Sequence, residues 1–281
     1  VPRFLSFGTW IGGDRDGHPF VTTDVTRQTF ARLRRAALEG HLAECRWMHN
    51  QLVMSDQQVP SEQTLRERIA DAAAQWPELA ARLLPVSEAE TYRRFIRMQM
   101  YRLEETLAEA NSGEDRDGAY RTFDEFRSDL ELLNQSMREH RGQRIVEQYL
   151  QPWIDLADTF GFHFASLDIR QNSLLHRRCL REIAALQFDR NFDGDENSAD
   201  AELERIISSD ESPPRINIDE LTEQSREIFD TFGLLVEEFQ LSGPEAIGSY
   251  IISMTHSPAD VLAVLWLWRT VAHQPMGKRI D

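Results

Sequence analysis

The sequence predicts a mainly α-helical chain with a few short parallel strands, the pattern of a partial (β/α)8 barrel carrying large helical insertions. Three observations predict it. Apolar residues recur at helical spacing almost without break between Asp24 and Phe160. Three short apolar runs, 4–11, 162–169 and 248–254, each pass through a polar or glycine-bearing loop into a helical pattern. Two of those loops deliver an arginine, Arg15 and Arg170, to the place where parallel α/β folds carry their sites.

The first run, Phe4 to Ile11, is dense in aromatic and β-branched residues and reads as a short buried strand. It breaks at Gly12-Gly13, where the backbone can take positive φ or approach another group closely. Charge then alternates through Asp14, Arg15 and Asp16 before Gly17 and Pro19. The plainer alternative is a tight turn in which the two aspartates hold Arg15. Thr22-Thr23-Asp24 offers N-cap chemistry for a helix to about Met54, with Leu38, Leu42, Cys45, Met48 and Leu52 on one face. Pro60-Ser61 opens a second helix, its stripe Leu65, Ile69, Ala72 and Trp76. Ser87-x-x-Glu90 and Thr122-x-x-Glu125 are capping boxes for the next two. A further helix runs from Ile145 through Trp153 to Phe160 and stops at Gly161. Residues 24–160 thus form a helical layer. Asp115-Arg116-Asp117-Gly118 repeats the earlier phrase, but without a preceding strand or glycine pair it reads as a solvated turn.

Phe162 to Ile169 is the second strand, running into Arg170-Gln171-Asn172-Ser173 and a helix through Leu186. Strand, arginine, N-cap serine and helix is an order that gathers a guanidinium and free backbone N–H groups around an anion. The alternative is a structural arginine paired with Asp168. His176 lies one turn after Ser173, within reach of this loop or on the helix surface. Residues 188–215 are acidic and turn-rich and read as a surface insertion. Within them Asp193-x-Asp195-x-Asn197 with Glu204 imitates a calcium loop, but Ser198 stands where the sharp turn needs glycine. Asp219 to Phe239 is a helix. Gly248 to Met254 is the third strand, and Ser257-Pro258 opens a final helix whose tryptophans are packing residues.

Composition narrows the partners. Lys and Arg total 31 against 47 Asp and Glu, a net charge of −16, which argues against non-specific nucleic-acid or anionic-membrane binding. An anionic substrate would need a local basic island, which gives Arg15 and Arg170 weight. Cys45 and Cys179 stand far apart in helical patterns and read as reduced core thiols, consistent with the cytoplasm. No apolar run approaches a membrane span. The eight histidines form no HExxH or Cys/His metal spacing, and no GxSxG, Walker or dinucleotide fingerprint is present.

Residues 7–22, Phe-Gly-Thr-Trp-Ile-Gly-Gly-Asp-Arg-Asp-Gly-His-Pro-Phe-Val-Thr, resemble the GGDRDGNP segment of phosphoenolpyruvate carboxylases of bacterial and plant type. Phe164 to Ser173 resembles the family's LDIRQ-x-S segment, and Ile251 to Val264 its ISM…SDVLAV segment, in the family's order. His18 replaces the usual Asn, and Asn172 fills a variable slot.

The resemblance implies a carbon–carbon lyase that fixes carbon dioxide in an anaplerotic reaction. It joins phosphoenolpyruvate to bicarbonate, giving oxaloacetate and phosphate through carboxyphosphate and an enolate, with Mg²⁺ or Mn²⁺. It also implies a cytoplasmic homotetramer. By position, Arg170 resembles the catalytic arginine that binds substrate phosphate, and Trp10 the tryptophan that walls the bicarbonate/CO2 pocket. Arg15 is a substrate-binding residue in this reading, while Gly12, Gly13, Asp14, Asp16 and Gln171 are site architecture. The family's catalytic histidine motif precedes such a segment. Its metal-binding Glu and Asp and its FHGRGG loop follow it. The sequence therefore reads as a single internal segment of a larger enzyme, 1–281, with no metal ligands of its own. Its parts are a barrel strand and loop (1–23), the helical layer (24–160), and two further strand–loop–helix units (161–281). Taken alone, the segment is expected to make no oxaloacetate. The rival readings are a non-catalytic relative sensing anions on this scaffold and a helical interaction module. An upstream TAHPT and a downstream FHGRGG in the full gene separate the enzyme from both.

Overall fold

A computed structural model describes residues 5–188, 205 and 215–273. Residues 1–4, with Phe4 at the start of the first predicted strand, the calcium-like Asp193–Glu204 run with nearly all of the acidic insertion, and the last eight residues lie outside them. The chain divides into two compact units, each with its own core.

The first unit is helical and comprises Ala31–Ala165, residues 5–7 and Leu241–Gly243. Helix α1 spans Thr23–Gln51, its part from Ala31 onward belonging here, followed by α2 (Gln63–Gln75), α3 (Pro77–Leu83), α4 (Thr91–Ser112) and α5 (Phe123–Glu139). Two short helical pieces, α6 (Gln143–Ile145) and α7 (Gln151–Phe160), are joined by a π-turn at Val146–Leu150. Pro152 explains that junction, because it has no N–H to continue the α ladder. The predicted stripes are the core: Leu38, Leu42, Leu65, Tyr92, Phe95, Phe126, Leu130 and Trp153 are all buried. Thr122 caps α5 by accepting from the Glu125 amide at 3.3 Å, as its capping box predicts. Ser87-x-x-Glu90 does not cap α4. The helix starts three residues later than that box requires, Ser87 accepts instead from the Ala89 amide, and Glu90 pairs with Arg93. An ion network centred on buried Arg102 and Asp129 closes the unit, with Arg102 bonded to Asp129, Glu125 and the Gly118 carbonyl, and Arg68 and Tyr120 on Asp129. Asp115, Arg116 and Asp117 of the repeated phrase are exposed, the solvated turn expected.

The second unit comprises Gly8–Phe30, Ser166–Gln240 and the chain from Pro244. It holds a three-stranded parallel sheet, β1 (Gly8–Thr9), β2 (Ser166–Asn172) and β3 (Ile247–Ser253), side by side in chain order. Helices α8 (Ser173–Phe188), α9 (Glu223–Ser242) and α10 (Pro258–Ala272) accompany it. Cys179, Leu180, Ile183, Ile228, Phe232, Val236, Trp266 and Leu267 form its core. Both cysteines are free and buried, and no described helix is long and apolar enough to cross a membrane.

Two strands differ from expectation. The first is not a buried run: only Gly8 and Thr9 pair, and Leu5, Phe7, Trp10 and Ile11 are exposed. The second is displaced toward the carboxyl end. Phe162 is packed in the aromatic core of the helical unit, stacked on Phe126, and pairing starts only at Ser166. Arg170 is therefore a strand residue and not a loop residue. Mainly α with a short parallel sheet is what these residues form; the described sheet is open, and no closed barrel is present among them.

Candidate functional site

Alternation along β2 decides which groups can meet. Leu167, Ile169 and Gln171 are buried, whereas Ser166, Asp168, Arg170 and Asn172 are half-buried on the opposite face. That second face is polar, and the loop after β1 folds onto it.

The loop leaves the sheet and returns. Thr9 pairs with Leu167, and pairing resumes at Asp14 with Arg170, so the first segment uses two residues more than β2 over this interval. The Arg15 amide donates to the Arg170 carbonyl at 2.9 Å and the Arg170 amide to the Gly13 carbonyl at 3.0 Å. The excess is taken up by a turn in which the amides of Gly13 and Asp14 both donate to the Trp10 carbonyl. Gly12 makes that turn at φ +81°. Gly13 passes so close to β2 that a Cβ would stand 2.0 Å from the Asp168 carbonyl oxygen. Trp10 and Ile11 are carried outward, 54% and 82% exposed.

Asp14 and Asp16 hold Arg170, at 3.4 and 2.9 Å, and not Arg15. Asp168 is not the partner of Arg170 either: its Oδ2 accepts from the Trp10 indole at 2.7 Å and its Oδ1 from the Ser249 amide at 2.7 Å. Both of the plainer pairings considered from sequence thus give way to one exchange of partners. Strand alternation sets Asp168 and Arg170 on one face, two residues apart. The loop then meets one with an indole and the other with two carboxylates.

Arg15 lies beneath the loop, 6% exposed. Its Nη2 donates to Thr26 Oγ1 at 2.6 Å, while Nε and Nη1 are buried with no hydrogen-bond partner. Thr26 in turn donates to the Gly12 carbonyl at 2.6 Å, tying the guanidinium to the turn. Burial lowers the Arg15 pKa from its ordinary value, an effect opposed by the nearby Tyr250 and Glu227. Tyr250 is raised, mainly by desolvation, and its hydroxyl meets His176 Nε2 at 2.8 Å. His176 is fully buried, not on the helix surface, and desolvation pulls its pKa down to about 4. The neutral ring and the phenol share this one hydrogen bond.

Gln171 is buried, its Oε1 accepting from the Asn172 amide at 2.9 Å. Ser173 does not cap α8: its hydroxyl donates to the Met254 carbonyl at 2.6 Å, and Asn172 Oδ1 takes the Leu174 amide. The structure therefore brings together Trp10, Gly13, Asp14, Asp16 and Arg170, places Arg15 under them, and leaves Gln171 on the buried face. Sequence reasoning missed Thr26 and Gly248 as parts of the arrangement, and considered Asp168 only as a partner for Arg170, not for Trp10. The signal for Asp168 was its i, i+2 relation to Arg170, which a strand starting at Ser166 exposes. Among the described residues no three His, Cys, Asp or Glu side chains converge to hold a metal ion, and Asp14 and Asp16 are both turned to Arg170.

Parallel strands in chain order, a glycine-rich loop after β1 and a forked cation on β2 are the parts from which α/β units build sites at their strand ends, and they make this loop the candidate site of a mainly helical protein with a parallel sheet. The chain belongs to the phosphoenolpyruvate carboxylase family, whose model matches residues 1–279. A phosphoenolpyruvate carboxylase from Roseiflexus castenholzii is 33% identical over 281 residues, covering 95% of this chain and 29% of that protein. Those of Xanthomonas oryzae pv. oryzae and Methylorubrum extorquens are 33% and 30% identical, covering 96% and 95% of this chain and 28% and 29% of theirs. The chain thus spans less than a third of the length of these relatives.

Proposed function

We propose that this chain is the phosphate-gripping and CO2-confining segment of an enzyme that carboxylates phosphoenolpyruvate with bicarbonate. The observation that carries the reading is the return of the β1 loop onto β2. On one polar strand face it meets Asp168 with the Trp10 indole and Arg170 with the Asp14 and Asp16 carboxylates.

Each group then has a part. A guanidinium carries five N–H donors, and the contacts to Asp14 and Asp16 leave several of Arg170's free for phosphate oxygens. The same carboxylates fix the plane of the fork before substrate arrives, which lowers the cost of ordering it. Arg15 adds positive potential from beneath the loop through a buried charge, not through an exposed fork. The Trp10 indole supplies an apolar wall where CO2 released from carboxyphosphate would be held against the enolate. The described residues offer no ligand set for the family's divalent metal.

The open sheet supports the larger architecture. A parallel sheet needs both faces covered and its edges continued, and strands adjacent in chain order suit a barrel better than a doubly wound sheet. We read β1–β3 as part of a (β/α)8 barrel in a homotetrameric cytoplasmic enzyme.

The test is Arg170→Lys in the full-length protein that carries this segment. Lysine keeps the charge but loses the planar fork. The expected loss is on the order of 2–4 kcal/mol in kcat/KM for phosphoenolpyruvate. A lysine variant with unchanged kinetics would make Arg170 a purely structural residue.

A further inference from the structure

We propose that Asp168 is a positioning residue that fixes the Trp10 indole at the site, and that the irregularity of β3 at Gly248 makes room for it. The inference rests on the reading of Trp10 as the pocket wall.

Asp168 sits where all three strands meet. Its Oδ2 accepts from Trp10 Nε1 and its Oδ1 from the Ser249 amide, both at 2.7 Å. Its carbonyl oxygen is the atom that Gly13 approaches. The sheet is irregular at this point. Leu167 pairs with Ile247 but Ile169 with Tyr250, so β3 carries one residue more than β2. Such a bulge re-aims side chains next to sites. A Cβ on Gly248 would lie 2.2 Å from Asp168 Oδ1, so the carboxylate occupies the space that the missing side chain leaves.

The chemistry of the two donors favours a carboxylate over its amide. Both neighbours present N–H groups, and a carboxylate accepts from both, whereas an amide has one acceptor oxygen and would set its NH2 against the other donor. No arginine or lysine among the described residues pairs with Asp168, so its charge-assisted bonds go to the indole and one backbone amide. Trp10 is more than half exposed and has little packing to choose its rotamer. The bond to Asp168 is what holds the ring in one orientation. Asp168 acts through Trp10 and need not touch substrate.

The experiment uses the full-length enzyme and reads phosphate released per oxaloacetate formed, with KM for phosphoenolpyruvate and a melting curve for each variant. Trp10→Ala is the reference for the pocket itself and should raise the ratio above one. Asp168→Asn, Gly248→Ala and Trp10→Phe break the tie from three sides. Each should raise the ratio by about two-fold or more as CO2 escapes capture, with KM held within about two-fold because the arginine grip is unchanged. Adding Asp168→Asn to Trp10→Phe should add nothing to the ratio, because the indole N–H is already gone. A merely structural aspartate would lower the melting temperature and total activity and leave the ratio at one. If Trp10→Ala raises the ratio while folded Asp168→Asn leaves it near one, the positioning role is wrong and the pocket stands. If Trp10→Ala itself leaves it near one, the pocket reading falls and the inference with it. Should Asp168→Asn fail to fold, Trp10→Phe and Gly248→Ala decide, and an unchanged ratio in both overturns the proposal.

Discussion

At Gly13 a single hydrogen atom in place of a methyl group lets the loop close on β2, because a Cβ would overlap the Asp168 carbonyl. Gly13→Ala cannot be relieved by a rotamer change, since the obstacle is backbone. The variant should lose on the order of 1–3 kcal/mol of stability. Because Gly13 lies between Trp10 and Asp14, the substitution should also displace both of these side chains at the candidate site. Thermal melting with phosphoenolpyruvate kinetics checks this; an alanine variant with native stability and KM would show that the loop has another conformation. At this scale the sequence was a partial guide. Trp10, Arg170 and the glycine pair stand out by type and spacing. Their partners do not, because Asp14 and Asp16 flank Arg15 in the chain yet reach Arg170 in space. Only the return of the loop onto β2 decides which arginine they hold.

Among the elements, α8 and α10 show how polar groups govern the second unit. Asp260 is buried, accepts from the His256 and Ser257 amides, and takes Arg177 in two bonds at 2.6 and 2.9 Å. Asp260→Ala leaves those donors without their acceptor and should cost on the order of 3 kcal/mol, seen as a lower melting temperature. A loss below about 0.5 kcal/mol would mean that water replaces it. His176 and Asp260 act in different pH windows. The His176 pKa is depressed to about 4, so below its unfolded value the unfolded chain binds a proton that the folded chain refuses. Its contribution is intact near neutrality and falls as pH drops from about 6.5 toward 4, by on the order of 3 kcal/mol. The Asp260 pKa is also lowered, by its hydrogen bonds and Arg177 against the opposing effect of burial, so its contribution is lost only at still lower pH. His41, depressed by burial in the helical unit, adds to the first window. His176→Phe should therefore flatten, without abolishing, the fall in melting temperature between pH 6.5 and 4; an unaltered slope would show that His176 is not the group that titrates. Helices were the most legible elements because burial repeats along them every three to four residues. The displaced second strand was not, since Phe162 and Phe164 look like strand residues and only the aromatic core shows that Phe162 is anchored elsewhere.

For the molecule as a whole, the family was readable from three ordered motifs, and the matched relatives extend well beyond this chain. Sheet closure was not readable here, because the described residues supply only three strands. The central proposal is a division of labour on one strand face, with Arg170 gripping the phosphoryl group and Trp10 confining the CO2 released from carboxyphosphate. It is tested most directly by measuring phosphate released per oxaloacetate formed in full-length Arg170→Lys and Trp10→Ala, side by side. The account predicts that Arg170→Lys slows both products together with a ratio near one, while Trp10→Ala retains part of its phosphate release and raises the ratio. Equal ratios in the two variants would contradict it.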